Sequence, residues 1–64
     1  MNEVFIDLYV DNNFAGSVLF FILPRIGECI KYNDTLCKVV SIIHTISNCN
    51  NNTCRTIDIY VETI

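Results

Sequence analysis

Apolar and polar residues alternate along the first part of the chain. In residues 3–10, EVFIDLYV, every second side chain is aliphatic, and the side chains between them are aromatic or acidic. A period of two predicts a β-strand with one apolar and one mixed face. The sequence Asp-Asn-Asn at 11–13 is typical of a turn. We therefore expect residues 14–23 to form a second strand that returns antiparallel to the first.

This second predicted strand is apolar on both faces from Val18 to Leu23. A sheet with one solvated face does not require such a strand, so we expect a barrel or a partner to cover it. Phe20 and Phe21 are neighbours in the chain, and one of their rings therefore has to point away from the core. Pro24 has no N–H group to donate to a neighbouring strand, and it ends the segment.

Three more strands are predicted after the proline, and short polar turns separate them; they cover residues 29–32, 36–48 and 55–64. Five short antiparallel strands without a helix indicate that residues 1–64 form one small all-β domain. The expected fold is a five-stranded antiparallel small barrel or a strongly bent sheet.

The register of the last two strands follows from their apolar residues. A hairpin that closes over residues 50–53 places Ile46 opposite Ile57 and Cys49 opposite Cys54. This pairing gives the two strands one apolar and one mixed face, whereas a slip by one residue would mix the two sets.

The composition agrees with a sheet and disfavours two kinds of partner. Ten isoleucines and six valines stand against a single alanine, which favours strands over helices. Seven acidic and four basic residues give a net charge of −3, so the chain lacks the positive charge that supplies most non-specific affinity for nucleic acids. The longest apolar run, VLFFIL, is far shorter than the roughly 20 residues that cross a bilayer as a helix. We expect no membrane partner.

The four cysteines are the first candidates for chemistry. The N-terminus carries acidic residues where a secretory signal has basic ones, so we expect a cytoplasmic protein in which thiols are free by default. Cys49 and Cys54 flank a polar tip at a spacing seen for zinc ligands, but a structural site needs four ligands. Free thiols, a disulfide and metal ligands stay open for this pair. We expect no metal and no cofactor, with a zinc-stabilised module on Cys29, Cys37, Cys49 and Cys54 as an alternative.

Residues 23–46, LPRIGECIKYNDTLCKVVSIIHTI, resemble the small and largely uncharacterised SH3-like β-barrel proteins of bacteria and their phages. The resemblance rests on the turn PRIGE at 24–28, the short hairpin after it, and a strand that carries Val40 and His44. Such proteins often have a glycine in the hairpin turn, where this chain has Asp34. The resemblance implies an SH3-like barrel and no activity. For a phage protein it implies a location in the host cytoplasm or the virion.

The sequence offers no catalytic group in a recognisable setting. His44 lies between isoleucines on the predicted apolar face, so we expect a half-buried ring bonded to a backbone carbonyl, with a base or a pH-sensing group as the alternative. The chain has no motif of a serine triad, a glycine-rich phosphate loop or paired catalytic carboxylates. We expect a protein that is not an enzyme.

The functional hypothesis is based on the exposed aromatic side chains. Contiguous apolar surface on a small protein usually marks an interaction site. We expect a non-catalytic protein-interaction or structural and assembly module, and in a phage a virion component or an inhibitor of a host protein. The partner is another protein or a second copy of the chain, bound through residues 14–23. The expected interaction surface consists of Phe5, Tyr9, Phe20 and Phe21.

A second function remains open. A barrel can bind single-stranded nucleic acid when aromatic rings stack on bases and basic side chains follow the backbone. The residues available for this alternative are Tyr9, Tyr32, Tyr60, Arg25, Lys31 and Lys38.

Overall fold

The computed structural model describes residues 4–64, which form five strands. The strands are β1 (Val4–Val10), β2 (Asn13–Phe20), β3 (Cys29–Tyr32), β4 (Thr35–Cys49) and β5 (Asn52–Thr63). The prediction of a small all-β fold is confirmed. Residue 3, which the sequence assigned to the first strand, lies outside the described residues. No helix in residues 4–64 is long and apolar enough to cross a membrane.

All three hairpins turn over two residues, and none of the turns contains a glycine. The turn pairs are Asp11–Asn12, Asn33–Asp34 and Asn50–Asn51, and their φ angles lie between 46° and 67°. Asn and Asp tolerate this left-handed conformation better than other residues with a Cβ atom. Two-residue turns with positive φ at both positions match the twist of the flanking strands.

The predicted register of the last hairpin is wrong by two residues. Asn50 and Asn51 make the turn, so Cys49 pairs with Asn52 and Ile46 pairs with Arg55 instead of Ile57. The tight turn decides the register because its geometry suits the strand twist better than a four-residue loop. A shift by two residues keeps every side chain on its predicted face.

The sheet order is β2-β1-β5-β4-β3. All neighbours are antiparallel except β1 and β5, which run parallel, so the prediction of a purely antiparallel sheet is wrong. The cause is topological: five strands that reverse direction one after another leave the first and the last running the same way. When β5 lies beside β1, the pair must be parallel.

The sheet curls into a half-barrel around a small core. Two bulges help to bend it, because Ala15 in β2 and Val40 in β4 are extra residues opposite continuous partner strands. Gly16, beside the first bulge, has a φ of 133°, which an L side chain rarely adopts. The Tyr32 hydroxyl donates to the Ala15 carbonyl at 3.3 Å and thereby links the two edge strands. The buried core consists of Ile6, Leu8, Cys37, Val39, Ile59 and Val61.

β2 is shorter than predicted. It ends at Phe20, the partner of Val4, and the chain then bends at Phe21 and Ile22 instead of continuing to Leu23. Phe20 is half-buried and packs against the core, whereas Phe21 is 62% exposed. The expectation that one of the two rings points outward is confirmed.

Residues 21–28 connect the two edges of the sheet. The connection closes in a tight turn, in which the Glu28 N–H donates to the Arg25 carbonyl at 3.0 Å and Gly27 has a φ of 94°. The Glu28 carboxylate accepts a hydrogen bond from the Arg25 backbone N–H at 2.6 Å and lies 3.6 Å from its guanidinium. Hydrogen bonds with Val39 fix this turn to β4.

The last hairpin extends beyond the half-barrel. β1 pairs with β5 only at residues 58–61 and β3 pairs with β4 only at residues 35–38, so residues 44–57 form a two-stranded projection, here called the arm. The radius of gyration is 12.5 Å, against about 10.7 Å for a compact chain of this length. His44 is exposed, and the expectation of a half-buried histidine is wrong because the arm carries it past the core.

Candidate functional site

An aromatic row crosses the convex face, which is the outer surface of the half-barrel. The rings of Tyr9 and Tyr60, on β1 and β5, stack with centroids 4.6 Å apart and planes 13° from parallel. Phe14 on β2 meets Tyr9 edge-on, with centroids 5.5 Å apart. These are the offset and edge-to-face geometries that aromatic rings prefer. The aromatic row of Phe14, Tyr9 and Tyr60 therefore presents π-faces in a fixed arrangement.

Two carboxylates lie beside this aromatic row. Asp7 and Asp58 are direct neighbours across the parallel pair, two residues before Tyr9 and Tyr60 on the same face. The Ser17 hydroxyl donates to the Asp7 carboxylate at 2.9 Å and holds it in place. Desolvation raises the pKa of the Tyr9 hydroxyl, and the neighbouring Asp58, Tyr60 and Asp7 raise it further. The site is thus negatively charged, and the Tyr9 hydroxyl stays protonated.

Exposed apolar side chains border the carboxylates on both sides. Phe5, 70% exposed, faces Leu19 across β1 and β2, and Ile43, 46% exposed, faces Asp58 across β4 and β5. Together with the aromatic row they give the convex face an acidic centre with an apolar border. This mixture matches a partner that brings positive charge on an aliphatic stem.

The predicted interaction surface is divided by the fold. Phe5 and Tyr9 lie together on the convex face, but Phe20 packs on the core side and Phe21 lies beyond the end of β2. Phe14 and Tyr60 were missed as members of the protein-interaction surface, although Tyr60 was among the residues of the nucleic-acid alternative. The signal that could have identified Tyr60 is its position between two aliphatic residues of a strand, but its contact with Tyr9 depends on the parallel pairing.

The residues of the nucleic-acid alternative are only partly brought together: Tyr9 and Tyr60 stack on the convex face, but Tyr32 and Arg25 lie elsewhere. Tyr32 points to the concave side, where its hydroxyl bonds to Ala15. Arg25 is paired with Glu28 in the connecting turn. Lys31 and Lys38 do share the convex face, diagonally across β3 and β4, but Lys38 stands opposite Glu62.

The fold also separates the four cysteines, into one bonded pair and two single residues. Cys49 and Cys54 are joined in a disulfide with Cα atoms 5.9 Å apart, so the default of free thiols is wrong for this pair. They are diagonal neighbours, since Cys54 lies opposite Ser47. Cys37 is buried in the core and Cys29 is exposed on the opposite face. The four-cysteine zinc set is not assembled, and residues 4–64 contain no other cluster of three potential ligands.

Comparison of the chain with protein-family models, with curated proteins and with solved structures finds no match.

Proposed function

We propose that the protein is a non-catalytic protein-binding module that recognises a basic segment of its partner on the convex face. The observation that carries this proposal is the stacked pair of Tyr9 and Tyr60 with Asp7 and Asp58 beside it. Cations are attracted to aromatic faces and to carboxylates, and this site combines both.

Each part of the site has a role in such binding. The outer face of the Tyr60 ring can accept an ammonium or guanidinium group, with Asp58 supplying the counter-charge. Phe5 and Ile43 contact the aliphatic stem of the same side chain or of its neighbour. The sheet fixes the backbone of all four residues, and little conformational entropy is lost when the partner binds.

Single-stranded nucleic acid is the second candidate, and the charge distribution disfavours it. A base could stack on an outer tyrosine ring, but Asp7 and Asp58 would repel the phosphates next to it. Lys31 and Lys38 lie on the same face, and the charge of Glu62 offsets that of Lys38.

The SH3-like family relationship and a phage origin are part of the proposal, with the virion in place of the cytoplasm as the location. A bent five-stranded sheet and the turn at residues 24–28 support the first, and a module with no catalytic motif suits a virion component or an inhibitor of a host protein. The disulfide between Cys49 and Cys54 favours an oxidising compartment, such as the exterior of a virion, over the cytoplasm.

Binding of a short peptide of alternating Lys and Val to the full chain tests the function. We expect Asp58→Asn to weaken binding about five- to tenfold, on the order of 1 kcal/mol, because it removes one carboxylate without changing the shape of the site. Asp34→Asn is the matched control, since Asp34 lies in a distant turn whose left-handed backbone suits Asn. Equal affinities of the two variants would contradict the proposal, and so would tighter binding of a single-stranded oligonucleotide.

A further inference from the structure

Part of one edge of β4 has no partner strand within the described residues. β3 and the Gly27–Glu28 turn cover β4 only as far as Val39. No backbone hydrogen bond from elsewhere in residues 4–64 reaches the outer edge at residues 42–48. This stretch, here called the open edge, is a row of unused donors and acceptors of the kind that templates strand pairing.

The register shows which residues supply those groups. In a two-residue hairpin the residues that flank the turn bond to each other, so Cys49 and every second residue before it direct their N–H and C=O groups to β5. Ile42, His44, Ile46 and Asn48 therefore direct theirs outward. An extended strand laid against the open edge can bond to all four.

The open edge also lacks the usual protection. Residues 39–54 contain no Asp, Glu, Lys or Arg and no Pro. Natural edge strands generally avoid pairing by carrying a charge, a proline or a bulge. Here the bulge at Val40 precedes the open stretch, and Ile46 within it is 67% exposed.

We propose that the open edge pairs antiparallel with the same edge of a second copy of the chain, so that two half-barrels share one continuous sheet. A second copy is the occupant because the open edge is complementary to itself about His44, and charge decides where two copies can meet. Each copy carries a net charge of −3, and its convex face is acidic, so two copies repel each other through most of their surface. The uncharged stretch is where that repulsion is weakest.

The pairing is geometrically self-consistent. A two-fold axis through His44 places Ile42 of one copy opposite Ile46 of the other, on the concave side, and brings outward-facing backbone groups opposite each other. The edge strand β2, which the sequence favoured for self-association, is a poorer candidate because Tyr32 already bonds to its Ala15 carbonyl. The convex face is not used, so this interface is independent of the proposed function.

Sedimentation of the purified full chain over a range of concentrations tests the interface. We expect a dimer, and we expect Ile46→Lys to weaken it at least tenfold because the substitution places a charge on each copy at the pairing edge. Ile26→Lys is the matched control: Ile26 is 66% exposed, against 67% for Ile46, and lies in the connecting turn. Circular dichroism and the thermal midpoint show whether both variants fold.

Amide exchange supplies a second measurement on the unmodified protein. The amides of His44 and Ile46 should be protected at high concentration and exchange faster on dilution, whereas those of the β1–β5 pair should not change. A monomer at every concentration would overturn the proposal. A dimer that Ile46→Lys leaves intact, or that both lysine variants disrupt equally, would overturn it as well.

Discussion

Asp11 has two structural roles at one position. It is the first residue of a left-handed turn, with a φ of 49°, and its carboxylate anchors the end of β5. The Thr63 backbone N–H donates to Asp11 Oδ1 at 3.0 Å and the Thr63 hydroxyl donates to Oδ2 at 2.8 Å. These two hydrogen bonds lower the pKa of Asp11. The sequence predicts the turn from Asp and Asn, but the anchor joins residues that only the fold brings together.

The pH dependence of stability tests this anchor. Because the folded-state pKa of Asp11 is lowered, its contribution is present above the unfolded-state value of about 3.9 and is lost as the pH falls through the folded-state pKa. Asp11→Asn keeps a residue that tolerates the turn but removes the charge. We expect the difference in thermal midpoint between the two proteins to shrink as the pH is lowered from neutral. A difference that stays constant with pH would show that the carboxylate charge plays no part.

At the scale of elements, the pattern of apolar residues and turns predicts that all five strands exist and where they lie along the chain, but not every end or their order in the sheet. The bounds of β3 are as predicted, because turn residues flank it closely on both sides. β2 ends three residues early, since an apolar run does not itself mark where pairing stops. The register of β4 and β5 was missed because three consecutive asparagines leave the position of a two-residue turn undetermined.

Two glycine substitutions at neighbouring asparagines test the observed register. Asn51 has a φ of 66° in the turn, where glycine is preferred, so we expect Asn51→Gly to raise the thermal midpoint slightly. Asn52 is the first residue of β5, so Asn52→Gly should destabilise by roughly 0.5–1 kcal/mol. Denaturant unfolding of both variants distinguishes the registers. In a loop over residues 50–53 both asparagines are loop residues, and effects of the same sign would contradict the two-residue turn.

At the scale of the molecule, the proposed binding site depends on one strand pairing that local patterns do not predict. Adjacent strands are the natural partners in a sequence-based prediction, and the parallel contact between β1 and β5 joins the two ends of the chain. That contact brings Tyr9 to Tyr60 and Asp7 to Asp58. The sequence predicted Phe5 and Tyr9 as part of an interaction surface because they share one face of the first strand with acidic residues, but half of the convex site comes from a strand about fifty residues away.

Two substitutions at Tyr60 test the role of the tyrosine stack in binding. Tyr60→Phe keeps an aromatic face, so we expect it to bind the Lys-Val peptide nearly as well as the natural chain. Tyr60→Ala removes the face and should weaken binding by about 1 kcal/mol or more. Isothermal titration of both variants measures the difference. Equal losses in the two variants would assign the effect to the hydroxyl and not to the ring.

The most direct test of the convex face as a binding site is chemical-shift mapping of the isotope-labelled full chain with the Lys-Val peptide. We expect the largest shifts at Tyr9, Asp58 and Tyr60, and we expect them to weaken as salt is added. A peptide of alternating Glu and Val should cause none. Shifts confined to the arm or the concave side, or no shifts at all, would contradict binding at the convex face.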